Sequence, residues 1–523
     1  MERVFGIDLG TTYSVIAAVT ENGSIEVINN MNSTPTTPSV VMLHESEGRI
    51  IKTVGIEAKN ALESGDDEDV KFASFFKQYM GEQKTIVTFR DVDYSPEMLS
   101  SYVLAYLRQS AAQYYSIPID EVKNVVITCP AYFEEAAKQA TRAAGEIAGF
   151  NVLAVAPEPT MAAYSYGMMS VGSPRRILVF DLGGGTFDVT VLKVNGNGTI
   201  DEIARNGKKK LGGKDWDEVI IQDFYDNNPM TPQEADLQLH VLAEKAKIVL
   251  SVKDSAKIRL RMEDFSGKSE ITRTKFEIDS KIKLDEAMEL ANRVVLEASL
   301  NTNDSNFSID EVLLVGGSTR MPQVLNAIQH AFPNCKISQT DPDLAVAKGA
   351  AMYAQRLMKE GFTAGQKIIP NRIDPTAGTG IRQVSGKSYA VKVLVNGGPE
   401  MILDNIIKRN TPFPVEGTKD FSTAYPYQKS VLIELYENDY VENQFEVDET
   451  LKIGEMECPL AGTEKYSKIA IKVSLTLDGI ITVTCFEYAS HMEKEGVFHA
   501  KNVLSDDKLQ SLISTFDENE ISG

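Results

Sequence analysis

A strand that ends in aspartate, turns through glycine and threonine and enters a second strand occurs twice in this chain. VFGI at residues 4–7 leads into Asp8-Leu9-Gly10-Thr11-Thr12-Tyr13 and then VIAAV at 15–19. ILVF at 177–180 leads into Asp181-Leu182-Gly183-Gly184-Gly185-Thr186-Phe187-Asp188 and then VTVL at 189–192, with Asp181 following Asp8 by 173 positions. Short apolar runs bounded by glycine turns predict buried strands, and their recurrence predicts a duplicated domain. A third glycine turn, Gly316-Gly317-Ser318-Thr319-Arg320, follows VLLV at 312–315 and precedes Met321-Pro322, which opens a helix.

Helical stretches over residues 95–113 and 134–148, and a strand over 124–129 before Pro130, fill the space between the repeats. Strands alternating with helices predict an α/β architecture. Residues 362–387 lose all periodicity to Gly, Pro, Thr and Ser, which reads as a linker. Beyond it Ile469, Ile471, Val473, Leu475 and Leu477 alternate up to Asp478-Gly479, and Ile481, Val483 and Cys485 alternate away, as in a hairpin. The expected organisation is therefore a duplicated α/β domain over 1–358, a linker over 359–387, a mostly antiparallel β-sandwich-like domain over 388–490 and a tail over 491–523. Leu509, Leu512, Ile513 and Phe516 give that tail one short helix behind the cap Ser505-Asp506-Asp507.

Composition removes several classes of function. The 523 residues, 43% hydrophobic and 24% charged, suit a multidomain globular protein, and the net charge of −21 argues against nucleic acid as the main partner. No apolar run is long enough to span a membrane, and Met1-Glu2-Arg3 enters the first strand without an apolar leader, so a cytoplasmic protein with no membrane partner is expected. Cys129, Cys335, Cys458 and Cys485 lack CxxC spacing and read as reduced core thiols, and the five histidines form no zinc motif.

Glycine turns leaving strands present backbone N–H groups to which a phosphate can come close, and two such turns can clamp a triphosphate. Asp8 and Asp181 would repel bare phosphates, so they imply Mg²⁺ with its water shell between carboxylate and phosphate. One DLG turn alone is about as consistent with an ordinary tight connection. No GxxxxGK[ST] sequence offers a competing nucleotide site.

The order DLGTTYS, DLGGGTFD, GGSTR resembles the actin, sugar-kinase and heat-shock superfamily. Within it, FGIDLGTTYS, VVITCPAYFEEAAKQATRAAGEIAGF, PEPTMAAYSYG, LGGKDWD, AEKAKIVLS, VLLVGGSTRMP and DPDLAVAKGAA resemble the seventy-kilodalton heat-shock chaperones, and weaker matches continue through RNTPFP, FSTAYPYQKSV and SLTLDGIITVT. This resemblance implies an actin-like ATPase domain that binds ATP or ADP with Mg²⁺ and K⁺. It implies phosphate contacts from Gly10, Thr11, Thr12 and Tyr13, opposed by Gly183, Gly184 and Gly185, with Asp8 and Asp181 holding hydrated Mg²⁺. Lys77 matches the catalytic lysine, Glu158 and Asp188 match the carboxylates that orient the attacking water, and Thr186 lines the same pocket. Taken singly, Lys77 is a surface lysine beside aromatics and Glu158 a helix-capping acid.

Glu244, Lys247 and Ser251 share one helix face and match the adenine and ribose contacts, although without the resemblance an exposed ion pair at i,i+3 is the more usual explanation of the first two. Gly316, Gly317, Ser318 and Arg320 would close the other side of the adenosine, with Arg320 stacking on the base and Asp343 in the same wall. Ala424, Val431 and Ile433 match the cleft that takes extended apolar segments of unfolded polypeptides.

Departures from the family also stand out. The acidic, leucine-rich linker signal is not found within residues 362–387, Lys138 occupies the place of a relay arginine, and only a short helix is expected where the family has a long lid. J-domain and nucleotide-exchange co-chaperones are implied partners, yet Ala154 replaces an arginine that meets J-domains. A nucleotide-gated interaction module, or a co-factor without refolding activity, is the competing reading. A sugar kinase or a filament former fits less well, because neither needs the second β-domain.

Overall fold

Asp8 is the last residue of its strand and Asp181 the last but one of its own, and each strand pairs antiparallel with the next, in register Asp8 to Val15 and Asp181 to Asp188. The computed structural model describes residues 3–523 apart from 21, 65–68, 134, 168–173, 197–198, 305, 340, 362–380, 396–397, 399, 414, 476–479 and 499–505. Around each turn the strands are laid out alike. In the first lobe the sheet order is Asn151–Pro157, Asn124–Cys129, Val4–Asp8, Tyr13–Val19, Ile25–Ile28. In the second it is Lys336–Ser338, Glu311–Val315, Arg175–Leu182, Phe187–Val194, Ile200–Lys208, Ile381–Arg382. In both, the strand carrying the aspartate lies between a parallel neighbour and an antiparallel one. The central strands are buried along their length, as their unbroken apolar runs require.

Helix Ala345–Lys359 locks the lobes together by packing on Val4–Asp8 and on helix Glu158–Gly167. Two glycines make that closeness possible. A Cβ at Gly6 would lie 2.0 Å from the nitrogen of Ala351, and one at Gly349 would lie 1.8 Å from the carbonyl oxygen of Met161. Separate apolar cores fill the two lobes, and a third joins them around Val179, Met161 and Ala350.

Two antiparallel sheets of five and four strands form the second domain. Strands Lys468–Leu475 and Ile481–Glu487 alternate buried and less buried positions and pair as the expected hairpin, whose Asp478-Gly479 turn lies outside the described residues. Leu435, Val473, Ile481 and Val483 fill the space between the sheets. All four cysteines are free thiols. Among the described residues no helix is long and apolar enough to cross a membrane.

The described part of the expected linker docks on the second lobe. Residues 362–380 lie outside the described part, but Ile381–Arg382 already pairs parallel with Ile200 and Asp201, and Val384 bridges to Pro412. This docking uses backbone hydrogen bonds and leaves no leucine-rich signature, which is why composition did not disclose it. Asn410 Oδ1 accepts from the Arg205 N–H at 3.0 Å, and Arg409 pairs with Glu297, so the β-domain also meets the second lobe through side chains. At the other end, helix Asp506–Thr515 forms as expected and is followed by a short strand, Ile521–Ser522, that no periodicity announced.

Candidate functional site

A cavity of about 640 Å³ opens between the lobes and is walled by all three glycine turns. The turns are built for contact. A Cβ at Gly184 would lie 1.8 Å from Thr12 Oγ1, so the first and second turns face one another with room for no side chain. Gly316 holds φ +82, a left-handed backbone that favours glycine, at the point where the third turn leaves its strand. Ser39 Oγ donates to the Gly10 carbonyl at 2.8 Å and Ser318 Oγ to the Gly183 carbonyl at 2.9 Å, while the two glycines' N–H groups donate to Ser14 Oγ and the Thr186 carbonyl, so both turns are held rigidly. Thr12 Oγ1 is buried with no hydrogen-bond partner among the described residues, an orphan that a phosphate oxygen would satisfy.

Lys77 is no surface lysine. It is 2% exposed and forms an ion pair with Glu158. It sits in a 3₁₀ turn that begins after Phe75, whose φ of +56 is strained for a bulky residue and aims the lysine inward. Burial alone would lower the Lys77 pKa, but the carboxylates of Glu158 and Asp8 outweigh it and hold the ammonium above its ordinary value. Burial pushes the Asp8 carboxyl up to about 7, Glu158 adds to this, and Lys77 and a hydrogen bond from Thr128 oppose it. Asp181 and Asp188 are held well above the usual carboxylate range, first by burial and then by Glu158.

Four carboxylates facing one cation thus leave the site short of positive charge. Among the described residues no three His, Cys, Asp or Glu side chains could grip a metal directly. A divalent cation beside Asp8 and Asp181 would offset this negative charge and restore both to the ionised form.

Asp8, Gly10, Thr11, Thr12, Tyr13, Lys77, Glu158, Asp181, Gly183, Gly184 and Thr186 line the cavity, as do Glu244, Lys247, Ser251, Gly316, Gly317, Ser318, Arg320 and Asp343. Two expected residues do not. Gly185 lies behind the wall, its carbonyl accepting from Gln78 Nε2 at 2.7 Å. Asp188 pairs directly with Asp181, so its carboxylate shares that sheet face, where it accepts from the Tyr132 N–H at 3.2 Å and lies close enough to Glu158 and Lys77 to feel their charge. Arg320 is exposed and held by Asp343 at 2.7 Å rather than free over the cavity.

Sequence reasoning missed several lining residues. Lys59 pairs with Glu244 and donates to the Tyr13 hydroxyl at 2.8 Å, closing the cavity mouth between the lobes. Asp217 pairs with Lys247 at 2.8 Å, and Lys247 also donates to the Gly213 carbonyl at 2.9 Å. Burial pushes the Asp217 carboxyl up to about 7 despite Lys247. His240 meets Phe75 edge-on at 5.7 Å, and burial, helped by Lys214, lowers its pKa to about 4. Asp217 lies within LGGKDWD, so the motif was visible, but its pairing with Lys247 requires the fold.

In the β-domain, Val431 is half-buried and Ile433 is 3% exposed within the core of the strand Ser430–Asn438. Ala424 is half-buried in the loop after Val415–Ser422, on the opposite sheet.

Mixed α/β lobes around a polar cleft, followed by two facing antiparallel sheets, are compatible with one class: an actin-like ATPase joined to a β-sandwich. A family model described as "Hsp70 protein" matches residues 4–522. The chain belongs to the Hsp70 family. It is 34% identical over 98% of its length to the chaperone protein DnaK of Thermosipho melanesiensis, of which it covers 83%, and equally similar to that of Thermotoga maritima. It is 32% identical over 99% of its length to the chaperone protein DnaK of Mycoplasmopsis pulmonis, of which it covers 82%. Relatives with these names do not favour the interaction-module alternative.

Proposed function

We propose that the cleft binds and hydrolyses Mg-ATP and that this drives a chaperone cycle in which the β-domain takes apolar extended segments of unfolded polypeptides. The observation that carries the reading is the pair of opposed glycine turns set beside the buried Lys77–Glu158 pair. Backbone N–H groups of Thr11, Thr12 and Tyr13 donate to phosphate oxygens on one side and that of Gly184 on the other, while Gly10 and Gly183, whose N–H groups bind Ser14 Oγ and the Thr186 carbonyl, let the phosphates come close without a side chain in the way. Asp8 and Asp181 would hold a Mg²⁺ ion, which when bound would supply neutralisation of charge on the phosphates. K⁺ belongs to the same cluster of negative charge.

Lys77 offsets charge that develops on the transferred phosphoryl group, and Glu158, fixed by its ion pair, orients water for in-line attack. Thr186 borders that water, and Asp188, on the same sheet face as Asp181, helps Glu158 to orient it. Closure of the Lys59–Glu244 bridge excludes bulk solvent. Glu244, Lys247 and Ser251 face the ribose and adenine from one helix, and Gly316, Gly317, Ser318, Arg320 and Asp343 face them from the other side.

Ala424 and Val431 border the peptide site, with Ile433 as its packed floor. Residues 1–358 form the nucleotide domain and 388–490 the body of the peptide domain. J-domain and nucleotide-exchange partners and a cytoplasmic location complete the reading.

The test is steady-state ATP hydrolysis by the wild type and Lys77→Ala, each with and without an unfolded apolar peptide. Loss of about 10²–10³-fold in turnover on substitution, with peptide stimulating the wild type, supports both halves. Turnover that persists without Lys77 refutes the active site, and turnover that ignores peptide refutes the coupled cycle.

A further inference from the structure

After helix Asp506–Thr515 the chain returns to the first lobe and adds a strand there. Ile521 pairs parallel with Lys52 and Ser522 with Thr53, on the outer edge of strand Arg49–Val54. Segments so far along a chain ordinarily fray unless tied down, and this one is tied at each step. Phe516 stacks on Tyr102 with centroids 5.7 Å apart and planes 16° from parallel. Glu518 accepts from Arg108, Glu520 pairs with Lys52, and Ile521 enters the first-lobe core. Gln109 Nε2 donates to the Glu518 carbonyl at 2.9 Å, and the hydroxyls of Thr53 and Ser522 meet at 3.0 Å.

The receiving surface is unusual in its charge. Arg108 and Lys52 have side chains 6% and 10% exposed, in a protein of net charge −21. A buried cation without a partner is strongly unfavourable. Besides Glu518, the carboxylate near Arg108 is Asp120 at 3.8 Å, itself 96% exposed. The effective counter-charges thus come from residues 410 and 468 positions away in sequence. An open strand edge offers backbone donors and acceptors to any extended segment. The two cations and Tyr102 restrict that offer to one that is acidic and carries apolar residues at its ends.

We infer that the edge of strand Arg49–Val54, with Lys52, Tyr102 and Arg108, is a strand-addition site for an acidic extended segment, and that residues 516–522 of this chain fill it as a latch. The β-domain engages the second lobe through Ile381–Arg382 and Arg409, whereas the latch engages the first. Engagement therefore fastens the β-domain to both walls of the nucleotide cleft. The covalent connection gives the latch an effective concentration on the order of millimolar, so weak contacts keep it seated.

The test uses the full chain and needs no nucleotide, so its outcome is separate from that of the ATPase reading. The substitutions Glu518→Lys, Glu520→Lys and Ile521→Asp together release the latch and leave the receiving surface untouched. A fluorescein-labelled peptide with the sequence of residues 514–523 is titrated by anisotropy against this variant and the wild type. The expected result is binding at least tenfold tighter to the variant, lost when Lys52→Glu is added. Hydrogen exchange on intact protein gives a second readout: Lys52→Glu should unprotect the amides of residues 521–522, and Lys52→Glu with Glu520→Lys should protect them again. Equal or absent peptide binding to the two chains, or failure of the charge exchange to restore protection, overturns the inference.

Discussion

Replacing Lys247 by methionine should destabilise the nucleotide domain in a strongly pH-dependent way. Lys247 and Asp217 are both buried, 2.8 Å apart, and the ammonium also donates to the Gly213 carbonyl. Methionine keeps the stem packed and removes the charge. Breaking a buried pair from one side costs about 3–5 kcal/mol when the remaining group stays ionised. Asp217 has an escape, because burial already pushes its carboxyl up to about 7, and losing the opposing lysine raises it further. A carboxylate whose folded pKa exceeds its unfolded value binds its proton more tightly in the folded state. Stability therefore falls as pH climbs from the unfolded pKa through the folded one. Near pH 5 Asp217 is neutral and the loss reduces to about 1 kcal/mol for the missing hydrogen bond. Near pH 8 the wild-type carboxyl has ionised beside Lys247 while the variant's stays protonated, which adds about 1.4 kcal/mol for the unit of pH above 7 and brings the loss to about 2–3 kcal/mol.

Trp216, the only tryptophan, is fully buried beside Asp217 and reports the transition directly. Urea unfolding without nucleotide, followed by its fluorescence at both pH values, measures the difference. A loss that is the same at about pH 5 and about pH 8 would refute the argument, because it would mean that the ionisation of Asp217 has no bearing on the pair.

Gly184→Ala should weaken nucleotide binding by tenfold or more, roughly 1.4 kcal/mol, because the new methyl meets Thr12 Oγ1 and forces the turns apart; isothermal titration with ATP checks this. His240→Gln should flatten the acid limb of stability. A histidine lowered to about 4 takes up its proton more readily when unfolded, so the wild type loses stability as pH falls from about 6.5 toward 4. Urea midpoints across that range should converge for the variant.

Much of the cleft was legible because its chemistry is local. The Asp-Gly-Thr turns carry their own strands, and the i, i+3, i+7 spacing of Glu244, Lys247 and Ser251 sets one helix face whatever surrounds it. Lys77 was legible only through resemblance, since its own neighbourhood reads as surface until the left-handed Phe75 turns it inward. Asp188 was legible from the same motif as Asp181, but that the two carboxylates share one sheet face follows only from the strand pairing. The Lys59–Glu244 bridge joins residues 185 positions apart and has no local signal at all.

The sequence by itself determined the repeated strand-turn-strand units, the change from mixed α/β to alternating β-structure and the sign of the overall charge. These follow from short-range periodicity and composition, which act within a few residues. Only the tertiary structure decided which charges are buried, which partners neutralise them and which strand edges are covered. Those outcomes depend on desolvation and on contacts across hundreds of positions, as with Lys52 and Glu520.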